Sequence, residues 1–399
     1  MTRVVAIVPW GDVIEDYLDP IGVTLEAFAG EMSGGWLFGY VEALQAVGWA
    51  PFVLVPSSRV EQPRRLVHAA TGCAIWLVPG RTCQKVGNPE LRAVRQWLTT
   101  PVQGMAKVLR NQRCDLLLVQ DYERPQFDAL VRLGRTMGIP VFATFQGGDH
   151  IQSRVERLVR RRTIRRSAGL IVAASAERAR VDRDYGLGAG HVAAIPNPVD
   201  LELWSPLPRS DARAALGIEE AAFVAVTHGR IDIHRKGLDL LLAAWRGPGL
   251  LVLIGSGQDR DRLAAMIEDR SDVRWIDGYT NDRQFIRRWL SAADLYVSAS
   301  RLEGMPVAPI EAMACGLPVV ASTAKGLEDI FPADLPAGGL LFPNGDVAAL
   351  SAAVDRLRDD PALRQRLGEA GREVAGRRFS IAAVGQSLRQ FLERGVDPG

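Results

Sequence analysis

The residues of this 399-residue chain best suited to chemistry gather in its second half. Glu311 is the only charged residue between Pro306 and Ala324. Pro306 suits a first helical turn and Gly316 a helix end, which predicts a helix of about ten residues. On that helix, the neighbours of Glu311 three and four residues away are Val307, Ala308, Ala314 and Cys315. None of them is a cation. A carboxylate so placed needs a hydrogen-bonding partner or a shifted pKa. Either a polar ligand supplies the partner or the side chain faces water. Glu303 precedes the same helix, beside Gly304. The N–H groups of Gly304, Met305 and Val307, around Pro306, would crown the helix start and suit a phosphate. Glu303 is then either a sugar contact or a carboxylate favoured by the helix dipole.

Arg230 and Lys236 form a second group. An apolar run ends in Gly229-Arg230, and Lys236-Gly237 is expected to open an amphipathic helix. A strand end beside a helix start is where a diphosphate binds in open α/β sheets. Two cations there could neutralise a departing diphosphate without a metal. Arginine is abundant here, but lysine occurs only at 85, 107, 236 and 325, so Lys236 is the stronger signal. Gly255-Ser-Gly257 is either a third phosphate-type turn or a tight strand–helix turn.

The elements that must position these groups alternate. Expected strands are 3–8, 51–55, 73–77, 115–119, 140–144, 169–173 and 191–195, then 223–227, 250–254, 273–276, 294–298 and 318–321. Helical patterns lie between them, including 36–47, 90–98, 127–137 and 152–166. Such alternation predicts parallel sheets covered on both faces. Pro196, Pro198, Pro206 and Pro208 mark a linker near residue 200. The expected organisation is therefore a first α/β domain over 1–199 and a second over 200–378. The tail from Asp346 reads as three helices. The last, 381–393, carries a stripe of Val384, Leu388, Phe391 and Leu392 that must dock somewhere.

Composition sets outer bounds. Apolar residues make up 47% and charged residues 24%, and net charge is +2, so nucleic-acid binding is not indicated. The four cysteines show no C-x-x-C pairing. There is no His/Cys cluster, so no metal and no cofactor are expected. Reduced thiols and the lack of a long apolar run suit a cytoplasmic protein. Arg154–Arg166 holds seven arginines and one acid. This stretch, with Val155, Leu158, Val159 and Ile164, is either a solvated face or a peripheral contact with the inner face of a membrane.

The motifs also carry a resemblance. The Glu303-to-Glu311 spacing in EGMPVAPIEAMACGLPVVAS resembles the Glu-x7-Glu motif of retaining family 4 glycosyltransferases. GR at 229–230 with KG at 236–237, GSG at 255–257 and GLLFPNGD at 339–346 resemble that family in the same order, as do IPNPVD at 195–200 and DLYVSAS at 294–300. The resemblance implies a GT-B fold, in which two Rossmann-like domains face a cleft and a C-terminal helix, here 379–399, crosses back to the first. It implies a nucleoside diphosphate sugar as substrate. Arg230 and Lys236 would clamp the diphosphate, Glu311 would hold the ribose, and Glu303 would contact the transferred sugar. The donor-side segment 304–307, with Gly255 and Gly257, would line the phosphate or sugar. In the first half, Gly34 and Gly35 resemble the family's glycine loop, which contacts the diphosphate. At 144–149 many members carry Thr-Phe-His-Gly-x-Asp, whereas this chain has Gln146, leaving Gln146, Asp149 and His150 as candidates on the acceptor or sugar side. The long connection 10–32, with Asp12, Glu15, Asp16 and Asp19, could shape an acceptor pocket. A GT-B sugar-nucleotide epimerase and a non-catalytic sugar-nucleotide binder remain alternatives.

Overall fold

The computed structural model describes the chain apart from Met1, Trp10, Glu31, 33–36, 84–86, 146–151, Ala189, Tyr279, Asn281, Pro336 and 397–399. Two compact units emerge, Met1–Asn197 with Val384–Gly399, and Pro198–Ala383.

The first unit is built on eight strands: β1 Val4–Val8, β2 Ala50–Ser57, β3 Arg64–Val67, β4 Ala74–Pro79, β5 Leu116–Gln120, β6 Val141–Phe145, β7 Gly169–Val172 and β8 Val192–Ala194. Their order is β3-β4-β2-β1-β5-β6-β7-β8. β1, β5 and β7 are almost wholly buried, as continuous apolar runs require when helices cover both faces. Seven strands run parallel. β3 instead pairs antiparallel with β4, which corrects the expectation of a wholly parallel sheet. Its sequence, RRLV, lacks an apolar run because it is an exposed edge, and its arginines discourage further pairing. Helices α1 (Pro89–Thr99) and α2 (Arg154–Ile164) belong to this unit. So does most of the C-terminal helix Ile381–Val396, whose Val384, Leu388, Phe391 and Leu392 are all buried. Phe391 meets Phe142 edge-on at 5.6 Å, and a Cβ on Gly385 would lie 2.4 Å from the Ala43 carbonyl oxygen.

The second unit holds six parallel strands: β9 Val224–His228, β10 Leu250–Ile254, β11 Val273–Ile276, β12 Leu295–Ser298, β13 Val319–Ser322 and β14 Gly339–Phe342. The order is β11-β10-β9-β12-β13-β14. Strand order therefore reverses between β9 and β12. That reversal opens a crevice at the carboxyl ends of these two strands, where ligands bind in open α/β sheets. Three short helices frame it, α3 Ile233–Lys236, α4 Leu238–Ala244 and α5 Ala308–Ala314.

One expected helix start moves. Pro309, not Pro306, occupies the first turn of α5. A helix begun at Pro306 would put Pro309 where its missing N–H breaks the hydrogen-bond ladder. Lys236-Gly237 does stand at a helix start, since Gly237 is the N-cap of α4, and the same glycine, with a left-handed φ of 62°, also closes the one-turn helix α3. A Cβ on Gly237 would sit 1.9 Å from the Ala299 carbonyl oxygen, so only glycine lets α3 approach the segment after β12.

Candidate functional site

At the β9–β12 reversal, backbone contacts first join the two loops. The Arg301 N–H donates to the Arg235 carbonyl at 2.9 Å. Its guanidinium reaches the His234 carbonyl at 2.9 Å and grips Asp239 through two bonds of 2.7 and 2.8 Å. Asp232 caps α3 by accepting from the Arg235 N–H. The tether sets Lys236 against Glu303, with Nζ to Oε1 at 2.6 Å. Ser300 Oγ donates to the same carboxylate oxygen at 2.7 Å. Glu303 is 9% exposed and Lys236 29%, so the pair is sheltered yet reachable. Arg230 is exposed and forms no ion pair among the described residues.

Glu311 finds a partner that the helix pattern did not supply. His228, the last residue of β9, brings its Nε2 to 2.9 Å from Glu311 Oε2. Tyr296 of β12 packs its ring edge-on to the His228 ring at 5.5 Å, and its hydroxyl lies 3.4 Å from the His228 carbonyl oxygen. Burial drives the Tyr296 hydroxyl well above its ordinary pKa, so it stays a neutral prop. The other ring nitrogen of His228, Nδ1, is buried with no partner among the described residues. His228, Arg230, Lys236, Ser300, Glu303 and Pro306 line one pocket.

The glycines divide. Gly255 donates its N–H to the Ile276 carbonyl at 3.0 Å. A Cβ on it would lie 1.9 Å from the Gly229 oxygen, and one on Gly257 would lie 2.2 Å from the Ile231 oxygen. The GSG turn thus packs backbone to backbone against the loop that carries Arg230. This close approach requires glycine at both positions. Gly304 has its carbonyl against Gly326, where a Cβ would come within 1.7 Å. Among the described residues, the N–H groups of Gly304, Met305 and Val307 donate to no backbone carbonyl. Gly34, Gly35, Gln146, Asp149 and His150 lie outside the described residues.

The acids of the 10–32 connection hold that connection itself. Glu15 is buried and accepts from Ser57 Oγ at 2.5 Å and the Ser58 N–H at 2.9 Å. Asp12 takes the Cys83 N–H and the Gln96 amide, Asp16 takes Thr82 Oγ1, and Asp19 pairs with Arg59. Their role in this structure is internal support. A different cluster sits after β5. Asp121 has a φ of 97°, and Glu123 and Glu177 both ion-pair with Arg180, each at 2.6 Å. Tyr122 hydrogen-bonds Glu177. Burial pushes the Glu123 carboxyl up to about 7, against the pull of Arg180. Glu177 and Arg180 are a local i,i+3 pair, but Tyr122 and Glu123 reach them only because the sheet order β5-β6-β7 brings the loop after β5 near the helix after β7. Among the described residues, no three His, Cys, Asp or Glu side chains group to hold a metal ion.

Two family models match the chain. Residues 208–374 match "Glycosyl transferases group 1" and residues 37–203 match "Glycosyltransferase Family 4". The chain is 36% identical over 190 residues to the lipopolysaccharide core biosynthesis glycosyltransferase LpsD of Rhizobium meliloti, covering 46% of this chain and 53% of that protein. It is 31% identical over 267 residues to the alpha-maltose-1-phosphate synthase of Mycobacterium tuberculosis, covering 62% and 67%. The first of these matches spans about half the relative's length. Among solved structures, a sucrose-phosphate synthase from Thermosynechococcus elongatus superposes with a TM-score of 0.76 at 23% identity, covering 98% of both chains. Anabaena HepE in complex with UDP gives 0.73 at 17% identity, covering 98% and 100%. These likenesses show the GT-B fold.

Proposed function

The chain belongs to the group 1 glycosyl transferases of family 4, and from that premise we propose that it moves a sugar from a nucleoside diphosphate sugar to an acceptor hydroxyl, with retention and without a metal. The observation that carries the reading is the sheltered Lys236–Glu303 pair at the β9–β12 reversal, flanked by exposed Arg230 and by the His228–Glu311 pair. An arriving diphosphate meets Lys236, already positioned by Glu303, and Arg230, which is free to swing onto it. Both cations stabilise the charge that builds on the leaving diphosphate as the glycosidic bond to phosphate breaks. Glu303 keeps its second oxygen for hydroxyls of the transferred sugar. Glu311, oriented by His228, offers its other oxygen to the ribose. The 304–307 amides add fixed dipoles without reorganisation.

Incubation with UDP-, GDP-, ADP- and dTDP-sugars, alone and then with an acceptor library, tests this. Transfer only in the presence of an acceptor is the predicted result. Conversion of a donor alone to its epimer identifies an epimerase instead, and tight binding with no turnover identifies a binder. The anomeric configuration of the product, read by NMR, tests retention.

A further inference from the structure

Nine large apolar side chains are strongly exposed among the described residues, and five of them lie on two neighbouring helices of the first unit. On α1 these are Leu91, Val94 and Leu98, at 63%, 40% and 81% exposure. Their spacing of three and then four residues puts them on one stripe, while Ala93 and Gln96 of the same helix turn inward. On α2 they are Val155 and Leu158, at 38% and 73%. The helices are fastened together. The Glu90 carboxylate of α1 accepts the N–H groups of Arg154 and Val155, at 2.9 and 3.2 Å.

The charges of α2 sort by face. Its one acid, Glu156, is buried in a capping box with Ser153. Arg160 is buried too, 3.0 Å from Asp128 and donating to the Glu123 carbonyl. Ile164 is also in the core, so the four apolar residues of the stretch do not share one face. Arg154, Arg157, Arg161, Arg162, Arg165 and Arg166 all remain outside. None of these six pairs with a carboxylate among the described residues. The surface is thus apolar at its centre and cationic around it, with its acids turned inward or engaged.

We propose that this α1–α2 face docks on an anionic phospholipid bilayer, with Leu91, Leu98 and Leu158 entering the headgroup boundary and the arginines meeting lipid phosphates. Charge complementarity selects this occupant. A second copy would set the same six cations against themselves. A nucleic acid would find aliphatic side chains where stacking needs aromatic ones. The inference is independent of the donor site, since none of these residues lines it.

The test is co-sedimentation of the full chain with vesicles of phosphatidylcholine alone, and of phosphatidylcholine with phosphatidylglycerol in equal parts. Two triple variants accompany the wild type: Leu91→Ser with Leu98→Ser and Leu158→Ser, and Arg157→Ser with Arg161→Ser and Arg162→Ser. Unchanged melting temperatures check their folding. Binding to the mixed vesicles only is expected. Partition should fall on the order of a hundredfold in the arginine variant, and added salt should weaken the wild type. Absence of binding, equal binding to both vesicle types, or full binding by both variants overturns the proposal. So does a wild-type dimer in size exclusion that the leucine variant breaks, which would make the face a self-contact.

Discussion

Glu311 Oε2 lies 2.9 Å from His228 Nε2, joining a helix after β12 to the last residue of β9, 83 positions apart in the chain. The carboxylate is neither solvated at random nor left unpaired. The contact holds one carboxylate oxygen of Glu311 and leaves the other free of it.

Substituting Glu311→Gln keeps an oxygen for the His228 N–H, so the ligand-free melting temperature should barely move. Nucleotide affinity should fall by about 1.5–3 kcal/mol, the range for a hydrogen bond to a charged group. His228→Ala should weaken binding in the same direction by less, because it only loosens the aim of Glu311. Calorimetric titration beside melting curves checks both. Unchanged affinity in a folded Glu311→Gln protein would remove this residue from the site.

Lys236→Ala and Arg230→Ala should each lower turnover by on the order of a hundredfold, about 3 kcal/mol, while the fold persists. Steady-state kinetics with circular dichroism decides the point, and near-normal turnover in both variants would mean the diphosphate is met elsewhere. Because these cations do the work proposed for them, activity should survive EDTA. Loss on chelation with recovery on adding magnesium or manganese would contradict that reading.

Gly257→Ala should destabilise the protein by about 1–3 kcal/mol, since the new Cβ falls 2.2 Å from the Ile231 carbonyl oxygen in a well-packed contact. The loss should appear in the ligand-free melting curve. A variant that melts normally and only binds nucleotide poorly would restore the glycine to a ligand role.

Glu123 sets a pH dependence. Its folded pKa is raised to about 7, first by burial, and the ordinary carboxylate value is 4.5. The native state therefore holds a proton that the unfolded chain has released. Its contribution to stability is present below about 4.5 and is lost as pH rises through about 7, on the order of 1–3 kcal/mol over the interval. Thermal melts from pH 5 to 8 should show this decline in wild type and lose it in Glu123→Gln. An identical slope in both proteins would exclude Glu123 as its source.

Much of the fold was legible because strands buried on both faces leave continuous apolar runs, as in β5, Leu116–Gln120, and β12, Leu295–Ser298. β3 was not, since an exposed edge strand of RRLV has neither a run nor an alternation. The candidate site was legible as residue types along the chain, not as partnerships. Lys236 meets Glu303 across 67 positions, and His228 meets Glu311, only because β9 and β12 are neighbours in the sheet. Strand order carries that information, and no helical or strand period contains it. For the same reason the contact of Gly255 and Gly257 with the backbone of 229–231 is not written in the GSG turn itself.

The central claim is that the second unit's crevice is a nucleoside diphosphate site clamped by Lys236. Isothermal titration of UDP, GDP, ADP and dTDP into wild type and Lys236→Ala tests it without knowledge of the acceptor. At least one diphosphate should bind the wild type, and its affinity should drop tenfold or more in the variant, about 1.4 kcal/mol or beyond. Failure of all four to bind, or equal affinity in the two proteins, would contradict the claim.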